Sequence, residues 1–180
     1  MWQMDGSTLL SAGAVVSIPT AWQIAAVADF DGDGKSDILW RHSSGMVAEW
    51  NMNGMALASG GAVAGGAAVT SDWQIAGVGD FGGDGKNDIL WQSTNGQLAI
   101  WQMDGSTLLS AGVAVGGAAV SADWHLAGVA DFNGDDKSDI LWRNDNGLVA
   151  EWNMNGQTMA QGAVVNNGTP VSTDWILNAT

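Results

Sequence analysis

Asp29-Phe30-Asp31-Gly32-Asp33-Gly34-Lys35-Ser36-Asp37-Ile38-Leu39-Trp40 sets carboxylates at the first, third, fifth and ninth places of a short loop, with glycines at the fourth and sixth. Alternate acidic side chains and a glycine that permits a sharp turn let oxygens from one loop converge on a hard cation such as Ca²⁺. The main-chain carbonyl of Lys35, at the seventh place, is the remaining candidate ligand. The loop then runs into Ile38-Leu39-Trp40, an apolar run with the character of a strand. The same stretch returns as Asp80 to Trp91 and as Asp131 to Trp142, each a step of 51 residues. The chain is therefore a repeat protein, and the rest of it is ordered by that period.

Around the loops, each unit offers four short strands. Residues 22–28 form the first, with Trp22, Ile24 and Ala26 expected on one face. Ile38 to Arg41 forms the second, and Met46 to Met52 the third, across the turn His42-Ser43-Ser44-Gly45. The matching turns, Ser93-Thr94-Asn95-Gly96 and Asn144-Asp145-Asn146-Gly147, carry the Asn-Gly pair of a tight hairpin. A fourth segment rich in Ala, Gly and Val, such as Leu57 to Val69, closes each unit. The expected fold is all-β: a propeller-like array of four-stranded antiparallel units.

Unit boundaries follow from the period: three complete units at 22–72, 73–123 and 124–174, flanked by partial units at 1–21 and 175–180. The segment Trp2 to Gly13 recurs unchanged as Trp101 to Gly112, while Trp50 and Trp152 open a WNMNG variant. This alternation suggests duplication of a two-unit block. The flanking pieces match the end and the start of a unit, so together they make a split fourth unit without Asp loop or central hairpin. It closes either within one chain or between two chains. A homodimer is favoured, because half-empty units leave sheet edges exposed.

The motif D-x-D-G-D-G-K-x-D-I-L-W, set in a four-strand repeat, resembles the FG-GAP or VCBS repeats of extracellular and surface propellers, over nearly the whole chain. That resemblance implies an extracellular or cell-surface location and a structural Ca²⁺. Carried over by position, it implies the ligands Asp29, Asp31, Asp33, the Lys35 carbonyl and Asp37. The second loop departs from the pattern, with Gly82 between Asp80 and Asp84. The third keeps Asp131, Asn133, Asp135 and Asp139 but puts Asp136 where a turn glycine belongs, a position Asp tolerates. The plainer alternative is a set of Asp-Gly turns held by side-chain to backbone hydrogen bonds without metal.

Composition narrows the function. The formal charge is −14, and 11 of the 19 acidic residues lie in the three Asp loops. Nothing here would neutralise a row of phosphates, so nucleic acid is excluded as a partner. Absent cysteine rules out disulfides and thiolate metal sites. No stretch approaches the length of a membrane span, and no signal peptide is recognisable in the sequence. With two histidines and only Glu49 and Glu151 as glutamates, the converging carboxylates of a glycosidase are missing, and catalysis is not expected.

There are 11 tryptophans. Trp40 and Trp50 recur in every unit and fall on apolar strand faces suited to packing between sheets. Trp22, Trp73 and Trp124 instead start strands and are followed by Gln23, Gln74 and His125, near the turn edge that carries Arg41 and Arg143. An aromatic face beside amide, imidazole or guanidinium donors suits a sugar ring. Those eight residues are the candidate carbohydrate site, with capping of the core as the alternative role for the tryptophans. Arg41 with Glu49, and Arg143 with Glu151, change together to Gln92 and Ile100 in the second unit, which suggests cross-strand ion pairs. The expected function is a multivalent lectin binding glycans, against a structural or adhesive module that binds another protein.

Overall fold

The computed structural model describes residues 2–5, 8–12 and 18–175, the first two stretches by backbone alone. A two-stranded hairpin, β1 (Trp2–Asp5) and β2 (Thr8–Ala12), precedes three four-stranded sheets. The first sheet is β3 (Trp22–Ala28), β4 (Asp37–His42), β5 (Val47–Asn53) and β6 (Ala56–Ala62). The second is β7 (Trp73–Gly79), β8 (Asp88–Ser93), β9 (Leu98–Asp104) and β10 (Thr107–Val113). The third is β11 (Trp124–Ala130), β12 (Asp139–Asn144), β13 (Val149–Asn155) and β14 (Thr158–Val164). Each is an antiparallel meander in chain order. The first strands β3, β7 and β11 are neighbours, so the sheets are arranged propeller-like without closing a ring among the described residues. Closure through residues 176–180 lies outside the described residues. Among the described residues no helix is long and apolar enough to cross a membrane.

Period-2 alternation gives each sheet two apolar faces, which is why the units stack. On one face of the first sheet Ile38 opposes Trp50 and Trp40 opposes Ala48; on the other, Leu39 opposes Glu49 and Arg41 opposes Val47. Phe30, Leu39, Val47 and Val63 of the first unit pack on Ile89, Trp91 and Met103 of the second. Phe81, Leu90, Leu98 and Ile100 pack in the same way on Ile140, Trp142 and Met154 of the third. Each such side chain contributes roughly 1.5–3 kcal/mol relative to exposure. Within each sheet the tryptophans pair across strands: Trp40 with Trp50 at 5.1 Å, Trp91 with Trp101 at 5.0 Å and Trp142 with Trp152 at 5.2 Å between ring centroids.

Two expectations need correction. Trp22, Ile24 and Ala26 do not share a face. The register slips between Ile24, opposite Trp40, and Ala26, opposite Leu39, so a bulge at Ala25 turns Ala26 to the other side. The same slip occurs in β7 and β11. Nor do the arginines and glutamates pair. Glu49 opposes Leu39 and Glu151 opposes Leu141, leaving each arginine only diagonal to its glutamate. Among the described residues neither pair makes a salt bridge.

The hairpin glycines hold the connectors between units. The N–H groups of Val69, Val120 and Val171 donate to the carbonyls of Gly45, Gly96 and Gly147 at 2.9 Å. This approach is possible because the turn carries no side chain. At Gly96, where φ is +85°, a Cβ would lie 2.1 Å from the Val120 carbonyl oxygen. Gly96→Ala is expected to lower stability by about 2–4 kcal/mol, measured by urea denaturation. An unchanged midpoint would show that the connector is not anchored there.

Candidate functional site

The three Asp loops are built alike. In the first, Asp29 Oδ1 accepts from the Gly32 N–H at 2.7 Å and the Asp33 N–H at 3.2 Å, and its Oδ2 from the Gly34 N–H at 2.7 Å. Asp80 and Asp131 repeat this, and Asp136 takes the glycine's place at φ +63°. Asp29, Asp31 and Asp37 offer oxygens within 4.8 Å of one another, an arrangement that fits a hard divalent cation. Asp33, the fourth expected carboxylate, is ion-paired with the Lys35 ammonium, which holds its pKa below the usual range. Asp31 is shifted upward, first by burial and also by the crowding of Asp37, Asp33 and Asp29. Asp37 also braces the backbone: its two oxygens accept the N–H groups of Phe30 and Met52, both at 2.8 Å.

The loops also couple the units. The Asn87 N–H donates to the Asp29 carbonyl at 2.8 Å and the Gly105 N–H to the Phe30 carbonyl at 2.7 Å; Ser138 and Gly156 repeat both bonds on Asp80 and Phe81.

At the opposite, hairpin-turn edge a cleft opens between consecutive sheets. The first, of about 660 Å³, has Gln23 and Arg41 of the first sheet, Trp73 and Gln74 of the second, and hydroxyls of Ser44 and Thr70. The second, of about 600 Å³, sets Trp124 and His125 opposite Gln92, Ser93 and Thr94. Trp73 and Trp124 are half-buried and border the core clusters as well as lining these clefts. A third, more apolar pocket of about 460 Å³ lies on the same tryptophan-bearing side of the third sheet, with Trp124, Trp142, Trp152 and Met159 against Val115 and Val120.

Six of the eight expected carbohydrate residues thus line clefts, with Trp73 beside Gln74 in the first and Trp124 beside His125 in the second, as grouped in the sequence. Trp22 lines neither cleft; it packs on His42, with ring centroids 4.8 Å apart. Each cleft also joins polar groups of one unit to the tryptophan of the next. Arg143 lines neither cleft, and its Nη2 donates to the carbonyls of Val171 and Ser172 at 3.1 and 3.0 Å. Arg41 Nη2 likewise donates to the Val69 carbonyl at 3.0 Å, and its guanidinium carbon lies 5.0 Å from the Trp91 ring centroid. The connector residues Ser71 and Thr70 were not anticipated. Their position after the Ala/Gly/Val segment and just before each strand-start tryptophan was the available signal.

Geometry of this kind defines a repeat protein made of face-packed four-stranded sheets, with ligand-sized clefts at one edge and acidic loops at the other. An FG-GAP-like repeat family model matches residues 29–91 and again 80–142, and the chain belongs to that family. No curated protein matches it. Among solved structures it is similar to a chain of the Photorhabdus luminescens Tc holotoxin pore, at 17% identity and a TM-score of 0.59. The similarity covers 86% of this chain but 7% of that one, and is a likeness of fold.

Buried carboxyls make the stability pH-dependent. Glu49 is fully buried with no hydrogen-bond partner for either oxygen among the described residues, and burial, then Asp37 and Asp31, push it up to about 8. Burial pushes Asp88 to about 6, against hydrogen bonds from Met103 and Phe81 that lower it. Raised folded-state values mean that folding favours the protonated acids. Their contribution is complete below the unfolded values near 4 and is lost as pH rises through about 6 for Asp88 and about 8 for Glu49. Urea denaturation should therefore show lower stability at pH 8.5 than at pH 5. Glu49→Ile, which copies Ile100 of the second unit, should flatten the upper part of that slope and add on the order of 2 kcal/mol at pH 8.5. A slope unchanged in the variant would remove Glu49 as its source.

Proposed function

We propose that this chain is a non-catalytic saccharide-binding module whose ligands lie in the clefts between consecutive sheets. The observation that carries this reading is the recurrence of one cleft design, in which a half-buried tryptophan of one unit stands across from amide and hydroxyl groups of the unit before it. Volumes of about 660 and 600 Å³ fall within the usual range for small-molecule sites. The indole face supplies stacking area, and Gln23, Gln74 and Gln92 supply both donors and acceptors for hydroxyls. Two such sites on one rigid body gain avidity on multivalent glycans without new contacts. Among the described residues no glutamate or aspartate lines either cleft, an arrangement suited to binding rather than hydrolysis.

A glycan array tests this. Wild-type chain should give saccharide-specific signal, and Trp73→Ala with Trp124→Ala should reduce it at least tenfold while circular dichroism reports an intact sheet fold. Undiminished binding by a folded double variant would move the site elsewhere.

A structural Ca²⁺ in the first Asp loop belongs to the same reading, supported by the three converging carboxylates. By mass action, millimolar Ca²⁺ should raise the melting temperature, chelator should lower it, and Asp31→Asn should blunt the difference. Identical midpoints would leave the loops as plain turns.

The competing reading is a structural or adhesive module that pairs with a second copy or another protein. Phe132 favours it: this residue is 43% exposed, whereas its counterparts Phe30 and Phe81 are fully buried under the following unit. A partner carrying the same tryptophan-bearing face would cover it.

A further inference from the structure

We propose that the first cleft selects saccharides bearing a carboxylate, with Arg41 as the discriminating group, while the second cleft takes neutral saccharides. This rests on the saccharide reading above. Among the described residues Arg41 is the only permanently charged side chain lining the first cleft, with no aspartate or glutamate there. Its guanidinium has no carboxylate at ion-pair distance among the described residues. Nη2 donates to the Val69 carbonyl, Nη1 is buried and has no hydrogen-bond partner among the described residues, and the Trp91 ring supports the group from one side. Burial disfavours this uncompensated charge, pulling its pKa down. A half-buried cation fixed in place without a counter-ion is a preorganised receptor for an anion, and a planar guanidinium matches a carboxylate.

The other units serve as internal controls. Gln23 pairs with Arg41 across β3 and β4, and the equivalent pair in the second unit is Gln74 with Gln92, which is neutral. In the third unit His125 pairs with Arg143, but there carboxylates are already present: Asp145 lies 2.7 Å from His125 Nε2, and Asp123 accepts from Asn144. Among the described residues, only the first edge combines an arginine with an otherwise uncharged polar cleft.

The formal charge of −14 opposes an anionic ligand. Much of that charge sits in the Asp loops, at the far end of β4, a strand of 6 residues that spans roughly 20 Å. Screening at physiological ionic strength acts over about 8 Å, so the local arginine prevails over the distant carboxylates.

The test is calorimetric titration with hexuronic-acid oligosaccharides, the matching neutral hexose oligosaccharides, and their sulfated forms. The uronates should bind at least tenfold more tightly than the neutral sugars. Arg41→Gln, which installs the residue native to the second unit, should abolish that preference, so that uronate affinity falls to that of the matching neutral sugar. Gln92→Arg should add a second uronate site. Equal affinity for uronate and neutral sugars, or a preference that survives Arg41→Gln, would overturn the proposal and leave the saccharide reading standing. An equal gain for sulfated sugars would overturn the carboxylate assignment. Failure of every saccharide to bind would overturn the saccharide reading itself.

Discussion

Each sheet depends on one buried aspartate at the end of its acidic loop. Asp37, Asp88 and Asp139 begin the second strand of their units, and each carboxylate accepts two equivalent backbone N–H groups, Asp88 taking that of Gly82 as well at 3.2 Å. One belongs to the phenylalanine of the loop, Phe30, Phe81 or Phe132, at 2.8, 3.0 and 3.1 Å. The other belongs to the methionine on the third strand, Met52, Met103 or Met154, at 2.8 to 2.9 Å. Hydrogen bonds to an ionised group contribute about 1.5–3 kcal/mol each, and orphaned buried N–H groups cost a similar amount. That carboxylate fixes the loop against the sheet and so aims the Phe30 and Phe81 carbonyls at the next unit. Strand, loop and inter-unit contact thus share one anchor. A cation in the first loop would have to share Asp37 with this structural duty.

Much of this was legible in the sequence because the repeat samples the same design three times. The first strand was placed at 22–28 and forms there; the second and third shifted by one residue at their ends, while the fourth, expected over Leu57 to Val69, ends at Ala62. The Asn-Gly turns were recognised, but their second reason, close approach of the connector to Gly45, Gly96 and Gly147, depends on tertiary structure. The bulge at Ala25 left no trace, since no glycine or proline marks it and alanine suits either face. From it came the wrong grouping of Ala26 with Trp22 and Ile24. The joint change of Arg41 and Glu49 correctly indicated one shared sheet face. It did not reveal that Leu39 stands opposite Glu49, or that Arg41 turns to Val69 and Trp91.

The two inter-sheet contacts consequently differ in chemistry although their frames agree. Between the first and second sheets lie an unpaired arginine and a glutamic acid with no hydrogen-bond partner. Between the second and third, Ile100 is fully buried in an apolar cluster and Gln92 replaces the cation. A wholly apolar contact of similar volume is often the more stable choice, so the polar contact is where stability has been relinquished. That contact lies beside the first cleft.

The burial of Phe30 and Phe81 beneath the following unit, against the exposure of Phe132, gives the array a direction. Every unit lends cover to the one before it and draws none back through this residue. In a one-dimensional stack with nearest-neighbour coupling, such asymmetry places the weakest cooperative element at one end. Amide protection against hydrogen exchange around the acidic loops would then be lowest at Phe132, and the stack would open there as a zipper does.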